Sequence, residues 1–447
     1  MNEVAFSLKE LDLLHQLARS HADESCAVGL VHSADQCGRR RYAVRDLLPV
    51  PKDAYLARAP TRASLMPEFM LSVANRARSA DAGVMLLHTH PGTNPLEGFS
   101  TVDDAGEHPL TEYFGARLPG QAHFAGVATH LNLHLRGLGC GAFATPVGVG
   151  STVRVYSEEL SRANEDFRYD RQVRAFGQEG QTRLSQVRVA VVGAGGTGSF
   201  IAHELAYLGV GHLLLVDHDT VDTSNLNRLL GATQLDVDMP KVAIARRSVQ
   251  AINPQLSCEA VVGDVVDDLV SAKLLDVDFI FGCTDSMASR AVINQVAYQY
   301  LIPAIDMGVA IHVRNGGIAS VTGRAQMLSP GLGCLVCADG LDGKQIRWEM
   351  MSDAQRRADP YFENASVPQP AVMPLNGIVT SAAVTMFLSA TIGYPGDSRL
   401  LHYDGIRGSM RPQILSPQHG CIVCGSEGAL GRGDSWNLPV RKGVNHG

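Results

Sequence analysis

Two groups of residues stand out by type and spacing. His88 and His90 follow the apolar run Val84 to Leu87, with Ser100 and Asp103 shortly after. Imidazoles two apart at a strand end point to the same side, where both could meet one metal ion. Asp103 offers a third ligand. A zinc ion with three protein ligands keeps a fourth position open, lowers the pKa of water there and polarises a scissile carbonyl. Ser100 could donate a hydrogen bond to the developing oxyanion. The second group, Gly193-Ala194-Gly195-Gly196-Thr197-Gly198, runs straight out of the strand-like stretch Val187 to Val192. Glycines there let backbone N–H groups approach phosphate at a helix N-terminus, and an acid about 20 residues on, here Asp217, can hold a ribose hydroxyl. The first group suits cutting an amide bond and the second suits joining a nucleotide to an acid. One chain could therefore process and then activate the same substrate, for which a protein with a carboxyl-terminal tail is the natural candidate.

Glycine loops also form tight strand-to-helix turns that bind nothing, so the surroundings matter. Downstream lie Asn225-Leu226-Asn227-Arg228, Pro240-Lys241 at the opening of a helix, and Cys283-Thr284-Asp285 at a strand's end. Arginine and lysine can neutralise a triphosphate, and a carboxylate at the carboxyl end of a strand can hold magnesium, so ATP fits better than NAD. A carboxylate attacking the α-phosphate needs charge neutralisation on the departing pyrophosphate, and the acyl-adenylate needs shielding from water. Separately, the pairs Cys334/Cys337 and Cys421/Cys424, with 83 residues between them, fit a closed, structural zinc site of four thiolates. Cys26, Cys37, Cys140, Cys258 and Cys283 read as small buried residues.

Residues 169 to 425 resemble the ThiF/MoeB-type adenylating enzymes, relatives of the ubiquitin-activating enzymes. The resemblance implies that Gly193, Gly195, Gly196, Gly198, Asp217 and Asp219 bind ATP. Asn225, Arg228 and Lys241 would surround its phosphates, with Asp285 positioning Mg2+. The implied reaction is adenylation of a C-terminal glycine carboxylate on a ubiquitin-like or sulfur-carrier protein. Tyr169-Asp170-Arg171-Gln172 is similar to the segment whose arginine reaches across a homodimer interface, so Arg171 would act in trans; a surface arginine at a helix start is the other reading. The family carries the same four-cysteine arrangement. Many members pass the acyl group to a cysteine on a loop crossing the nucleotide site. Here no cysteine occurs from Ala338 to Gly420, which favours transfer to a partner's thiol, as on a conjugating-enzyme-like acceptor, or to a sulfur donor.

His88-x-His90-Pro91 with Ser100-x-x-Asp103 resembles the JAMM (MPN or JAB) metallopeptidases, which cut ubiquitin-like proteins at their C-terminal tails, over about the first 150 residues. That resemblance implies a glutamate general base just before a glycine-containing apolar strand. Glu24, ahead of Cys26 to Val31, takes that place, with Asp23 as the alternative. Two departures bear on the substrate groove: nine residues separate His90 from Ser100, more than usual, and Ala27 stands where a glycine is frequent.

These sites need scaffolds. At 447 residues the chain exceeds a single core, which predicts domains over 1–155 and 160–430 and a tail over 431–447. Apolar runs alternating with helical patterns predict parallel sheets covered by helices in both domains. The expected fold class is α/β twice over: a JAMM-type α/β metallopeptidase domain, then a Rossmann-like doubly wound ThiF-type domain. Expected strands are Leu131 to Thr145, Leu213 to Val216, Glu259 to Val262, Phe279 to Gly282 and Ile302 to Asp306, with helices over Ser199 to Leu208 and Ser286 to Tyr300. Ser157 to Asp170 reads as polar and helix-prone. Met1 to Ser25, with Phe6, Leu8, Leu11, Leu14 and Leu17 among charges, reads as one amphipathic helix and not a signal peptide. Gly377 to Tyr394 is broken by Thr and Ser, which favours a buried helix over a membrane span. A net charge of -7 and a pI near 6.1 give no general pull toward nucleic acid or anionic membrane. The chain is placed in the cytoplasm. The resulting expectation is a bifunctional enzyme that trims or deconjugates a ubiquitin-like protein at zinc and adenylates its exposed tail. The alternatives are adenylation of a peptide or small-molecule carboxylate, and an ATP-bound scaffold without turnover.

Overall fold

The computed structural model describes residues 2–20, 22–34, 41–91, 98–156, 166–351, 355–356 and 370–443. Cys37, most of the stretch expected to be helical over Ser157 to Asp170, and the boundary near residue 160 lie outside them. The chain divides into two compact units. One comprises Met1–Glu159, Gln299–Leu301 and Ala429–Asn437; the other comprises Leu160–Tyr298, Ile302–Gly428 and Leu438–Gly447. The residues set aside as a tail are thus shared between the units, with a short 3-10 turn at Gly433–Ser435.

The first unit opens with β1 (Asn2–Ser7) and α1 (Leu8–Ser20), not with one helix. Phe6 therefore sits on a strand. A capping box ends the strand: the Ser7 amide and hydroxyl donate to Glu10 Oε2 at 3.0 and 2.8 Å, and the Glu10 amide donates to Ser7 Oγ at 3.3 Å. Next come β2 (Cys26–Ala34), β3 (Arg41–Pro49), the hairpin β4 (Tyr55–Ala59) and β5 (Arg62–Leu65), α2 (Pro67–Ser79) and β6 (Gly83–Thr89). Then follow α3 (Thr101–Arg117), β7 (Phe124–Ala128), β8 (Leu133–Gly137), β9 (Phe143–Val149) and β10 (Val153–Val155). The single strand expected over Leu131 to Thr145 is two strands joined by a turn.

The main sheet runs β1-β3-β2-β6-β7-β8-β9-β10, and β9 pairs back onto β1 in parallel, so the strands from β1 to β9 close into a barrel. The expected parallel sheet is not what forms. β2/β3, β7/β8 and β8/β9 are antiparallel because their connections are too short for the crossover that parallel pairing needs, and β2/β6 is antiparallel as well. Strand β2 is buried on both faces: Ala27 and Val31 join a cluster with Leu11, Leu14 and Phe124, while Val28 and Leu30 join one with Val73, Ala77 and Phe114.

The second unit is Rossmann-like. Its elements are α4 (Asp170–Gln186), β11 (Arg188–Val192), α5 (Gly196–Leu208), β12 (His212–Asp217), α6 (Lys241–Ile252), β13 (Ser257–Val262) and the single turn α7 (Asp268–Ser271). They continue with β14 (Phe279–Gly282), α8 (Met287–Gln299), β15 (Ala304–Arg314), β16 (Gly317–Leu328), α9 (Gly343–Met350), α10 (Met373–Ile392), β17 (Leu400–Asp404) and β18 (Ser409–Pro412). The order is β13-β12-β11-β14-β15-β16-β17-β18, parallel through β15 and antiparallel beyond it. The antiparallel half departs from a doubly wound sheet. Its cause is local: Asn315 and Gly316, with φ of 54° and 76°, form the tight turn that matches strand twist, so β16 folds straight back on β15.

Alternate residues of β11 and β14 face a core with Ile201 and Leu205 of α5, Val242 and Val249 of α6, and Ala383 and Phe387 of α10. Ala190, Leu214 and Ile280, on the opposite face, are equally buried. By length and composition α10 could cross a membrane, and half of its apolar window is buried inside the protein. Its buried residues belong to the core that covers β11 and β14.

Candidate adenylation site and candidate metal centres

The glycine loop lies where β11 ends and the chain order reverses, between β11 with β12 on one side and β14 on the other. Open α/β sheets bind ligands at this switch point. Its three spaced glycines have different physical reasons. Gly193 has φ 93° and donates its amide to Val216 O at 2.8 Å; a Cβ there would lie 2.6 Å from Cys283 O. A Cβ on Gly198 would lie 1.8 Å from Gly193 O. The first glycine thus makes the turn and the last lets the helix sit on the strand. Gly195, the N-cap of α5, has no heavy atom of the described residues within 4 Å of its notional Cβ, so no packing among them requires glycine there. Turn, open approach and close packing, in that order, are the roles of the three glycines in a pyrophosphate-binding loop. Gly196 is closed by the Asn376 amide, 2.6 Å from its notional Cβ, with the Arg228 stem farther off at 3.3 Å.

Asp217, at the end of β12, is engaged on both oxygens: Oδ2 accepts from the Ala194 amide at 2.6 Å and Oδ1 from the Asp219 amide at 2.8 Å. Burial pushes its pKa up, against the pull of those amides and Lys241. It therefore shapes the loop through both oxygens. Lys241, opening α6, holds Asp219 through Nζ at 2.6 Å and through its amide at 3.0 Å. Burial alone would raise Asp219, but this ion pair keeps it below the usual carboxylate range. Arg228 donates to Ser224 O at 2.7 Å, and Asn225 accepts from the Asp222 amide at 3.1 Å. Asp285 is exposed immediately before α8 and makes no hydrogen bond or ion pair among the described residues. Arg171 is likewise exposed and unpaired, in the first turn of α4.

Two features escaped sequence reasoning. Glu349 of α9 accepts from Ser286 Oγ and the Ala288 amide, both at 2.7 Å, and so caps α8 next to Asp285. Asp306, 1% exposed, accepts from Arg290 at 2.8 and 2.7 Å and from Arg324. Neither leaves a local signal, since each partner set is drawn from separate elements.

The four cysteines converge. Sγ atoms of Cys334 and Cys337 are 3.7 Å apart, Cys334 and Cys421 3.5 Å, and Cys337 and Cys424 3.4 Å, all buried. A tetrahedral ion with bonds of about 2.3 Å needs sulfurs roughly 3.8 Å apart, so the donor set fits zinc in type and spacing. Each pair sits on a tight turn, with Ala338 N donating to Cys334 O at 3.1 Å and Gly425 N to Cys421 O at 3.0 Å. Neighbouring thiols, Cys424 first, hold the Cys334 thiol down at about 5 despite its burial. Of the other cysteines, Cys26 and Cys258 are buried and Cys283 is half-buried. Cys140 is exposed, contrary to expectation, because it lies in the turn between β8 and β9.

In the first unit, His88, the next-to-last residue of β6, lies opposite Cys26 of β2 and Val127 of β7. The pairing continues past Cys26: Thr89 N donates to Ser25 O at 2.9 Å, and Ser25 N to Thr89 Oγ1 at 2.9 Å. This brings buried Glu24 to His90, with Oε1 4.0 Å from Nε2. His88 Nε2 lies 3.2 Å from His90 Nε2 and 3.1 Å from Asp103 Oδ1, and His90 Nε2 lies 3.9 Å from Asp103 Oδ2. The two imidazoles and Asp103 thus lie within 4 Å of one another, a three-ligand donor set suited to zinc with a fourth position open, and Glu24 stands beside His90. Glu24 shares the ligand cluster with the histidines; Asp23, half-buried beside it, is outside that cluster. Ser100 is the N-cap of α3, its hydroxyl donating to Asp103 Oδ2 at 2.8 Å. Burial would raise the Asp103 pKa, but the His88 hydrogen bond and charge, with the Ser100 amide and hydroxyl, hold it well below the usual carboxylate range. Arg58 of β4, whose Nε donates to Glu24 O at 2.7 Å, was not foreseen. Residues 92–97, between the two halves of the motif, lie outside the described residues.

The ThiF family model matches residues 169–423. Molybdopterin-synthase adenylyltransferase of Salmonella typhimurium is 33% identical over 267 residues, covering 58% of this chain and 97% of the relative. SAMP-activating enzyme E1 of Haloferax volcanii is 30% identical, covering 56% and 85%. Sulfur carrier protein ThiS adenylyltransferase of Escherichia coli is 28% identical, covering 60% and 98%. The pyrophosphate-type loop, the four-cysteine cluster and these matches agree: this chain belongs to the ThiF family, and its residues 169–423 form a ThiF/MoeB-like adenylyltransferase domain.

Proposed function

We propose that this chain adenylates the C-terminal glycine carboxylate of a small ubiquitin-like or sulfur-carrier protein. The carrying observation is Gly195, a loop glycine that no packing among the described residues requires, at the N-terminus of α5 where phosphate would sit. ATP use with Mg2+ is what the family leads one to expect. A carboxylate oxygen would bond to the α-phosphorus as the bond to pyrophosphate breaks, giving acyl-adenylate and pyrophosphate. Lys241 and Arg228 would offset the charge on the departing group, and Asp285 is free to hold Mg2+. The relatives' names, for molybdopterin synthase, SAMP and ThiS, support a small protein as substrate. The acceptor of the acyl group is external, and exposed Arg171 would complete a neighbour's site in a homodimer. ATP–pyrophosphate exchange with tail-bearing small proteins should be measurable and should fall by roughly 100-fold or more in Asp285→Ala. No exchange with any such partner would overturn the reading.

We infer a second activity for the first unit, zinc-dependent cleavage at the tail of the same partner by a JAMM-like site. The convergence of His88, His90, Asp103 and Glu24 supports it. Zinc bound there would supply Lewis acidity toward the scissile carbonyl. Glu24 would take the proton of the attacking water and return it to the leaving amine, while the Ser100 hydroxyl would turn from Asp103 Oδ2 to steady the oxyanion. The Cys334 cluster would hold a second, structural zinc. Glu24→Gln should keep its zinc and lose roughly 10²- to 10⁴-fold in cleavage of a tail-extended precursor, whereas His88→Ala should lose both. Unchanged cleavage in Glu24→Gln would remove Glu24 from the mechanism.

A further inference from the structure

The helix that delivers Ser100 and Asp103 to the metal centre is poorly anchored at that end. From Thr101 to Tyr113 no residue of α3 is buried; Phe114 is the first. Pro109 inside the helix removes one amide from the ladder, and helix ends with little packing open most readily. One side chain counters this. Arg136 of β8, 12% exposed, places its guanidinium carbon 3.8 Å from the centre of the Phe99 ring and a terminal nitrogen 2.8 Å from both Asp104 Oδ1 and Glu107 Oε1. Its Nε donates to Glu107 at 3.0 Å as well. These three partners bracket the site: Phe99 precedes Ser100, Asp104 follows Asp103, and Glu107 is one turn on.

We propose that Arg136 is the positioning residue of the metal centre, clamping the first turn of α3 so that Asp103 and Ser100 face His88 and His90. The proposal rests on the JAMM-like reading. A stacked, forked contact of this kind is one that lysine cannot reproduce. It acts on the protein's own carboxylate and is therefore visible in metal binding without any substrate.

The measurement is zinc affinity by chelator competition on the full chain, scoring only the zinc equivalent that His88→Ala removes. Arg136→Gln and Arg136→Lys should each weaken that equivalent about 10-fold or more. Glu107→Gln should weaken it too, and the double variant should fall short of the summed effects, because both changes break one clamp. Pyrophosphate exchange by the other unit should be unchanged, which separates loss of the clamp from general misfolding. Arg136 variants that bind this zinc as tightly as wild type would overturn the proposal and leave the metal reading standing. Absence of any zinc equivalent dependent on His88 would overturn the metal reading and the proposal with it.

Discussion

Gly198→Ala should abolish ATP binding and destabilise the adenylyltransferase unit by about 3 kcal/mol or more. The new methyl carbon would sit 1.8 Å from Gly193 O and 3.4 Å from the Cys283 side chain. Neither neighbour can withdraw cheaply. Gly193 is fixed by its bond to Val216 O, Cys283 by its amide bond to Val192 O, and β11 and β14 are hydrogen-bonded partners beneath them. Gly195→Ala is the informative companion. With φ of -79° and open space around its notional Cβ, alanine there should leave the melting temperature unchanged while still weakening ATP, since the methyl group would occupy the path of the phosphates. Calorimetric ATP titration beside a thermal melt reads both effects without a protein partner. Full ATP affinity in Gly195→Ala would mean that phosphate does not pass over this turn.

Cys334→Ser should remove one zinc per chain and cost several kcal/mol of stability, on a scale that reaches roughly 10 kcal/mol for structural zinc sites at neutral pH. The four sulfurs tie together segments 87 residues apart, Cys334 with Cys421 and Cys337 with Cys424. Without the ion, four buried thiols remain that cannot all ionise together and have few other partners. Metal analysis and chemical denaturation would test this, with His88→Ala as reference: it should also lose one zinc but leave the denaturation midpoint of the second unit in place. A Cys334→Ser protein with its full metal content would show that the thiols are not the ligands.

Where chemistry depends on a few neighbouring residues, the chain is readable directly. The β11–loop–α5–β12 segment follows its apolar run and glycines within two residues of the expected bounds, except that α5 begins three residues earlier, at the loop itself. Strand β14 matches residue for residue. Two further local signals stand in the chain: Ser7 with Glu10, which starts α1 and frees Asn2–Ser7 to be a strand, and Asn315-Gly316, which turns β15 back as a hairpin. Both act within four residues and so are legible in the chain itself.

The choice between Glu24 and Asp23 was different in kind. Successive strand residues face opposite sides, so only the pairing of Cys26 with His88 brings Glu24, and not Asp23, to the histidines. Barrel closure is likewise invisible in the chain, because it depends on β1 finding β9 some 140 positions away. The amino-acid sequence thus determined by itself which atoms were available for chemistry, the glycine turn and the thiol pairs, since these are set by covalent neighbours. Tertiary structure alone decided which carboxylate meets which imidazole, that Arg136 clamps α3 and that Glu349 caps α8. Those contacts join residues far apart in the chain, and only a completed sheet register sets the distances between them.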